Sequence, residues 1–361
     1  MSNWYDIDNV NTIDSPQVVI YVDRVQHNID AAVKMVGDVN RLRPHIKTNK
    51  TPQVVQMMLD AGITRFKCAT IEEATLLASL KAPDVLLAYQ PVGPKVERLY
   101  RLTQEYPATR FSCLTDHVVP ARALHEYFSA HDAMIEVFMD LNVGMNRTGI
   151  SLEEAPILAE AIQQMKGLKW RGIHAYDGHF RDPDISIRKA ACDAQFEQVK
   201  AFHQNIQEKF GIQLSIIAGG SPTFPIHAVR EDVECSPGTF VFWDKGYGDI
   251  CAEQPFLPAA LVLSRVISLP SPGKICIDMG HKSIAAENDT SRRAWFVNEP
   301  EALLLSQSEE HGLVQPLKEH QPGDLMYVMP YHVCPTINLY SSLVVVKNGR
   351  AEDSWKVAAK H

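Results

Sequence analysis

Short apolar runs alternate with longer amphipathic segments from about residue 16 to residue 240. The runs have the length of buried strands, and the segments between them carry the 3.6-residue periodicity of helices. The predicted strands are Leu42–Ile46, Arg65–Ala69, Val85–Tyr89, Arg110–Leu114, Ile135–Asp140, Trp170–Ala175, Leu214–Ala218 and Val233–Ser236. The predicted helices include Gln53–Leu59, Ile71–Leu80, Pro94–Glu105, Leu152–Met165 and Ile185–Phe210.

Strands that alternate with helices predict an α/β fold with a parallel sheet. Eight such units in roughly 220 residues fit a closed (β/α)8 TIM barrel. A doubly wound open sheet is the alternative. No G-x-G-x-x-G fingerprint follows the first predicted strand, so the barrel is favoured.

The pattern changes after Gly238, where long helical segments disappear. Short strand-like runs separated by proline, glycine and charged turns predict an all-β domain. These runs are Val262–Leu269, Lys274–Met279, Ala294–Val297 and Leu325–Met329. Residues 16–240 are assigned to the barrel, and residues 1–15 with 241–361 to the β domain. We also expect the N-terminal segment of about twenty residues to add a strand to the barrel.

The composition is that of an ordinary globular protein, with 45% hydrophobic and 22% charged residues among 361. The net charge of −8 and the lack of a basic block argue against nucleic acid or an anionic membrane as a partner. We see no signal peptide and no apolar run long enough to span a membrane. The seven cysteines are scattered without a C-x-x-C pair, which predicts reduced thiols in the cytoplasm.

Residues capable of chemistry collect at the ends of the predicted strands. The first strand ends at Lys47, and the fifth leads into residues 140–149. The sixth ends in residues 176–179, and the seventh in residues 219–223. In a barrel these carboxyl ends share one face, where active sites form. The sequence therefore predicts an active site on this face.

Lys47 lies in Arg43-Pro44-His45-Ile46-Lys47-Thr48-Asn49-Lys50. A lysine at the end of a barrel strand can hold an aldehyde cofactor as a Schiff base, provided that its amine is partly desolvated. Lys47 follows the apolar Ile46, whereas Lys50 is expected farther out in the loop, so Lys47 is the better candidate. A basic, solvated loop is the alternative interpretation.

His332-Val333-Cys334 is a candidate metal site. We expect this segment to be an extended strand, in which residues i and i+2 point to the same side. An imidazole and a thiolate on one face can bind one metal ion, and this ligand pair suits zinc. A core cysteine beside a hydrogen-bonded histidine is the alternative.

Several of these motifs, in this order, resemble the D-threonine aldolase and D-serine dehydratase family. Members are pyridoxal-phosphate enzymes related to alanine racemase (fold type III). The resemblance covers nearly the whole chain and is carried by residues 43–50, 66–70, 142–149, 219–223, 236–239, 308–311 and 332–334. Asn49 stands where the family usually has a second histidine, which leaves the role of that position open.

The resemblance assigns roles in cofactor binding. It implies that Lys47 forms the Schiff base and that Arg147 faces the cofactor phenolate oxygen. Tyr176 falls where the racemase stacks an aromatic ring on the pyridine. We also expect His45 to contact the cofactor. A surface arginine and a core tyrosine are the ordinary alternatives for Arg147 and Tyr176.

The cofactor phosphate needs backbone N–H donors and little steric bulk. Gly219-Gly220-Ser221, ahead of a short helix, supplies both, and the hydroxyl of Ser221 or Thr223 adds a donor. Gly238-Thr239 after the eighth strand would complete the phosphate site. A plain Gly-Gly turn is the alternative.

Two positions bear on the type of reaction. Racemases of this fold have an arginine as partner of the pyridine nitrogen where this chain has the uncharged Ser236, which argues for a reaction other than racemisation. The resemblance also implies that His332 and Cys334 hold a divalent metal, with zinc, manganese or magnesium as the candidates. Typical aldolases of the family have His-x-Asp at this place, and the dehydratases have His-x-Cys.

The resemblance therefore implies a homodimeric lyase acting on 3-hydroxy D-amino acids. D-threonine aldolase is the first expectation, and D-serine or D-threo-3-hydroxyaspartate dehydratase is the second. His179 is a candidate base for the substrate hydroxyl and Lys47 for the Cα proton, with His281 and Glu310 as weaker candidates. An amino-acid racemase and a non-catalytic pyridoxal-phosphate carrier remain as alternatives.

Overall fold

The structure is a computed structural model that describes residues 3–360. These residues form two compact units. One consists of Ala32–Lys47 and Met58–Gly238. The other consists of the described residues up to Ala31, together with Thr48–Met57 and Thr239–Lys360. The chain opens with strand β1 (Gln17–Tyr21) and helices α1 (Val22–Val36) and α2 (Pro52–Asp60).

Seven parallel strands form the sheet of the first unit, in the order of the sequence. The strands are β2 (Arg65–Cys68), β3 (Asp84–Leu87), β4 (Arg110–Thr115), β5 (Ile135–Asp140), β6 (Leu168–Ala175), β7 (Ser215–Ala218) and β8 (Val233–Cys235). The helices between them are α3 (Ile71–Ser79), α4 (Pro94–Glu105), α5 (Val118–Ser129), α6 (Ala155–Gln163), α7 (Ile185–Phe210) and α8 (Phe224–Ala228). Apolar side chains from four strands pack in the interior.

The segment predicted as the first barrel strand joins the two edges of this sheet. Leu42 forms a parallel bridge with Cys235 of β8, and His45 forms one with Lys67 of β2. Pro44 has no N–H to donate, so only single bridges form in place of a ladder. A 3-10 helix follows at Ile46–Thr48. The predicted α/β barrel is thereby confirmed, with seven strands in its sheet and this segment in place of the eighth.

Helices α4 and α7 begin and end at the predicted residues, whereas α6 is shorter than the predicted Leu152–Met165. Helix α4 begins at Pro94. Proline is favourable in a first helical turn, because the backbone N–H groups there have no acceptor within the helix. The Asp184 side chain accepts from Ser186 N at the start of α7. Gly211, at φ +65°, ends that helix in the left-handed conformation. No helix described is long and apolar enough to cross a membrane.

The second unit contains a nine-stranded sheet. Its strands after β1 are β9 (Ala260–Ser271), β10 (Lys274–Ile277), β11 (Ala294–Phe296), β12 (Leu303–Gln307), β13 (Gly312–Gln315), β14 (Leu325–Pro330), β15 (Ser342–Lys347) and β16 (Arg350–Lys356). Two short helices, α9 (Lys245–Ile250) and α10 (Val333–Leu339), accompany it. The domain is therefore mostly β.

Strand β1 belongs to this second sheet, so the expectation that the N-terminal segment adds a strand to the barrel is wrong. It pairs antiparallel with β9 and parallel with β15. Val19 and Tyr21 pack in an apolar cluster with Leu261 and Leu263. The barrel edges are joined by residues 42–45, which leaves no edge for another strand.

Candidate active site

Lys47 lies in the 3-10 turn after the barrel-closing segment and is half-buried. Its backbone N–H donates to His45 Nδ1 at 3.2 Å, which ties the buried His45 side chain to the turn. Among residues 3–360 the Lys47 amine has no hydrogen-bond or ion-pair partner. A partly desolvated, uncommitted amine is what imine formation requires.

Lys50 is more buried than Lys47, which corrects the expectation that it lies farther out in the loop. Its side chain is only 6% exposed, and its Nζ donates to the Ala359 carbonyl at 3.0 Å. Lys50 adopts φ +50°, in the left-handed region that a non-glycine residue rarely occupies. Lys47 remains the better candidate because the Lys50 amine already has a structural partner.

Tyr176 follows β6 and lies between glycines and cations. A Cβ on Gly220 would lie 2.8 Å from a ring carbon of Tyr176, and a Cβ on Gly178 would lie 2.2 Å from its hydroxyl oxygen. The guanidinium carbon of Arg147 is 5.0 Å from the centre of the same ring. The structure thus brings together three residues predicted for the cofactor: Tyr176, Arg147 and Gly220.

The Gly219-Gly220 turn is held from behind by Thr223. Gly219 has φ +84°, a conformation that favours glycine. Gly220 N donates to Thr223 Oγ1 at 3.2 Å, and Thr223 Oγ1 donates to Asp177 Oδ1 at 2.6 Å. The Thr223 hydroxyl hydrogen is therefore committed to Asp177 and is not available to a phosphate.

The barrel offers features that fit pyridoxal phosphate. Ser236, predicted to face the pyridine nitrogen, is buried, and its Oγ has no hydrogen-bond partner among the described residues. Burying a hydroxyl without a hydrogen-bond partner costs free energy, so this side chain indicates that a polar atom of a ligand binds next to it. Gly238 N lies 3.5 Å from Ser221 Oγ, so the two predicted phosphate-binding segments meet.

His179 lies in the loop after β6 and packs against the ring of Phe180 at 4.0 Å between centroids. Its Nδ1 is buried and has no partner within the described part of the chain. Gly144, at φ +105°, leaves space for the imidazole, because a Cβ there would be 2.8 Å from His179 Nε2. Burial lowers the pKa of His179, although Asp177 opposes the shift. His179 is thus neutral and able to accept a proton near pH 7.

His332 and Cys334 are not in an extended strand, and that expectation is wrong. His332 precedes the first residue of α10, and Cys334 lies in its first turn. The Val333 N–H donates to Asp244 Oδ2 at 3.0 Å, which caps the helix. Pro335 is tolerated in a first helical turn, so the segment can be helical where a strand was predicted.

The two predicted metal ligands nevertheless contact each other. Burial acts to lower the pKa of His332, but the hydrogen bond and charge of Cys334, with Glu287, raise this pKa to about 9. His332 Nδ1 lies 2.5 Å from Glu287 Oε1. The Cys334 sulfur lies 3.1 Å from Thr48 Oγ1 and 3.7 Å from Thr239 Oγ1. Thr239, predicted as a cofactor residue, is thus next to the candidate metal pair.

The weaker candidates lie on the surface of the second unit. Glu310 forms an exposed ion pair with Lys282 at 2.9 Å. His281 is exposed, and its backbone N–H donates to the Ser308 carbonyl at 2.9 Å. Neither contact assigns them a chemical role.

Sequence reasoning missed a buried polar chain inside the barrel. Lys67 Nζ lies 3.0 Å from His174 Nε2, and His174 Nδ1 lies 2.6 Å from Asp140 Oδ1. A lysine in the middle of a short buried strand is the signal that could have indicated it, since unpaired lysines are almost never fully buried.

A second cluster, Asp177, Cys192 and His227, was also missed. Their potential metal-binding atoms lie within 4.8 Å of one another, but His227 Nε2 is only 2.7 Å from Asp177 Oδ2. Arg230 Nη1 faces the other ring nitrogen of His227 at 2.5 Å, so Nε2 carries the hydrogen donated to Asp177. Burial acts to raise the pKa of Asp177, but His227 and Thr223 hold it below its usual value. These contacts describe a hydrogen-bonded support for the Gly-Gly turn.

Comparison with known proteins agrees with this architecture. Residues 20–245 match the alanine racemase N-terminal domain, and residues 259–346 match a putative serine dehydratase domain. The chain is 28% identical to a D-threonine aldolase from Arthrobacter sp., over 98% of this chain and 94% of that protein. It is 24% identical to D-threo-3-hydroxyaspartate dehydratase from Delftia sp. (strain HT23), over 91% of this chain and 93% of that protein.

The crystal structure of D-threonine aldolase from Filomicrobium marinum has the same fold. It matches with a TM-score of 0.89 at 25% identity, over 99% of each chain. The match to the racemase domain alone covers more than half of the sequence. The chain therefore belongs to the alanine-racemase-like D-threonine aldolase and D-serine dehydratase family, and it is a pyridoxal-phosphate-dependent lyase of that kind.

Proposed function

We propose that this chain uses a divalent metal together with pyridoxal phosphate to act on 3-hydroxy D-amino acids, and that it cleaves D-threonine to glycine and acetaldehyde. The observation that carries the metal proposal is the environment of His332, whose Nδ1 faces Glu287 while the side chain also contacts Cys334. A metal-bound histidine usually has its second ring nitrogen bonded to a carboxylate in this way. His332 and Cys334 would hold zinc, manganese or magnesium.

The barrel residues would hold the cofactor. Lys47 would bind its aldehyde, Tyr176 would stack on the ring, and Arg147 would face the phenolate oxygen. Backbone N–H groups of residues 219–221 and 238–239, with the Ser221 hydroxyl, would bind the phosphate. When bound, the cofactor supplies an electron sink for bonds at Cα, and the metal supplies a Lewis acid for the 3-hydroxyl.

Side chains of the protein accept the protons that the reaction releases. Neutral His179 accepts the proton of the substrate 3-hydroxyl, because burial keeps its imidazole unprotonated near pH 7. Glu287 contacts His332 at Nδ1 and would orient the imidazole, so that Nε2 would be the nitrogen available to a metal. Ser236 brings no charge to the pyridine nitrogen, in agreement with a reaction other than racemisation.

Dehydration is the second candidate, and the cysteine at position 334 favours it. The dehydratases of the family carry His-x-Cys where typical aldolases carry His-x-Asp. D-serine or D-threo-3-hydroxyaspartate would then be the substrate, and Lys47 would remove the Cα proton. In either case we propose a homodimer.

The products from D-threonine distinguish the two reactions. The purified protein, supplied with pyridoxal phosphate and zinc or manganese, should convert D-threonine into glycine and acetaldehyde and leave L-threonine unchanged. The formation of 2-oxobutanoate and ammonia instead would establish dehydration. Lys47→Ala should lose both activity and the visible absorbance of bound cofactor, whereas exposed Lys169→Ala should keep both.

A metal chelator should abolish turnover and leave the visible absorbance in place, because Lys47 and the metal ligands are different residues. The proposal fails if the wild-type protein stays colourless with the cofactor. It also fails if no 3-hydroxy D-amino acid among threonine, serine and threo-3-hydroxyaspartate is consumed.

A further inference from the structure

Lys67, His174 and Asp140 form a hydrogen-bonded chain that the proposed function does not use. They come from three strands, β2, β6 and the end of β5, and their exposed fractions are 3%, 4% and 5%. Water therefore does not screen their charges, and electrostatic effects between them are strong.

The direction of the hydrogen bonds follows from Asp140. A carboxylate accepts, so His174 Nδ1 donates to Asp140 Oδ1 at 2.6 Å. His174 Nε2 then has a lone pair for the hydrogen bond from Lys67 Nζ at 3.0 Å. If the shared proton moves to Nε2, Lys67 becomes the neutral acceptor. The pair therefore exchanges one proton along a single hydrogen bond, and its titration belongs to both residues.

The hydrogen-bonded side chains of Lys67, His174 and Asp140 lie beside residues predicted to bind the cofactor. Lys67 is the bridge partner of His45, two residues before Lys47, and its backbone N–H donates to the Pro44 carbonyl at 2.9 Å. Its Nζ lies 5.6 Å from the centre of the Tyr176 ring, which Arg147 also approaches. A ligand stacked on Tyr176 would thus be close to the charge of this chain.

Burial and the charge of Lys47 together lower the pKa of Lys67 to about 7, while Asp140 opposes the shift. Burial and Lys67 also lower the pKa of His174. A buried lysine that can lose its charge near neutral pH costs stability, so its presence at the end of this hydrogen-bonded chain, next to His174, indicates a functional role.

We propose that Asp140, His174 and Lys67 form a proton-sharing chain that places one positive charge beside the predicted cofactor ring and opposes protonation of the bound cofactor. This inference rests on the proposed function. The three residues act through charge and positioning, since a nearby cation disfavours a second positive group.

The absorbance of the cofactor-loaded protein between pH 5.5 and 10 tests the proposal. Lys67→Met removes the cation at similar volume, so the midpoint of the absorbance change should rise by about one pH unit. Asp140→Asn removes the balancing anion and should lower the midpoint. Lys169→Met, at an exposed lysine that pairs with Glu136, should behave like the wild type. Spectra of Lys67→Met and Asp140→Asn that follow the wild type at every pH would overturn the proposal.

A second measurement works without cofactor. In full-length protein labelled with ¹³C and ¹⁵N in its lysines, one side-chain resonance should titrate near pH 7 and be missing in Lys67→Arg. If every lysine resonance titrates above pH 9, the proton-sharing chain is wrong even when the cofactor binds. If the protein never acquires visible absorbance with pyridoxal phosphate, the proposed function is contradicted. The lysine titration then still tests whether Lys67 and His174 share a proton.

Discussion

At the scale of single residues, two glycines determine where the Tyr176 ring can lie. A Cβ atom on Gly178 or on Gly220 would clash with the Tyr176 side chain. Glycine at these positions is therefore a packing requirement, and the Gly-Gly turn is more than a flexible loop. The same ring lies near both Arg147 and Lys67.

Gly220→Ala should weaken pyridoxal-phosphate binding about tenfold, because an added methyl group in a packed site typically costs 1–3 kcal/mol. The Cβ would lie 2.8 Å from the Tyr176 ring, so the ring or the turn must move. Absorbance titration with the cofactor measures the dissociation constant. Gly248→Ala is the control, because its Cβ would meet Trp243 at an ordinary 3.9 Å. Equal affinities for Gly220→Ala and wild type would show that Tyr176 does not contact the cofactor.

At the scale of elements, hydrogen bonds to Thr223 join the loops after β6 and β7 at the start of α8. Thr223 Oγ1 accepts from Gly220 and donates to Asp177, which also accepts from His227. All three side chains are buried, so each hydrogen bond replaces contact with water. The turn predicted for the phosphate is thus held in place by Asp177 of the loop after β6 and by Thr223 at the start of α8.

Thr223→Val keeps the shape of the side chain but removes the hydroxyl. Gly220 N–H and Asp177 each lose a buried partner, so the free energy of unfolding should fall by about 1–3 kcal/mol. Urea denaturation measures this change. Thr103→Val is the control, because its hydroxyl donates to the Tyr100 carbonyl and accepts from the exposed Gln104 side chain, both within its own helix, α4. A Thr223→Val variant as stable as Thr103→Val would mean that this hydroxyl does not hold the turn.

At the scale of the whole molecule, a network of charges closes the end of the barrel opposite the predicted site. Asp84, the first residue of β3, accepts from Arg43 at 2.7 Å, from Arg110 at 2.7 Å and from Arg171 at 2.5 Å. Arg43 is fully buried and also pairs with Glu234 at 2.7 Å. Burial acts to raise the pKa of Asp84, but Arg43 and Arg171 hold it well below its usual value.

Asp84→Asn should lower the free energy of unfolding at pH 7 by about 3–5 kcal/mol, because it leaves buried Arg43 without one of its partners. The folded pKa of Asp84 is depressed, so its stabilisation is complete above the unfolded value of about 4 and is lost as the pH falls below it. The stability difference between wild type and variant should therefore shrink from pH 4 downward. Denaturation at several pH values measures it, with exposed Asp232→Asn as control. A difference that is constant with pH would contradict the assigned pKa shift.

Much of the fold follows from local patterns in the sequence. The alternation of apolar runs and amphipathic segments predicts the barrel, because strand and helix periodicities depend on neighbouring residues. Helices α4 and α7 have the predicted limits, since Pro94, Asp184 and Gly211 act within one turn of the chain. The order of motifs was enough to identify the family.

Local patterns could not decide contacts between distant residues. The partners of β1, the burial of Lys50 and the helical conformation of Cys334 depend on segments far away in the chain. Lys67, His174 and Asp140 meet only when three parallel strands turn their side chains into one interior. The sequence by itself determined the periodic elements and the residue types available for chemistry. Only the tertiary structure decided which of those groups share a hydrogen bond, because burial and charge coupling arise from packing across the sheet.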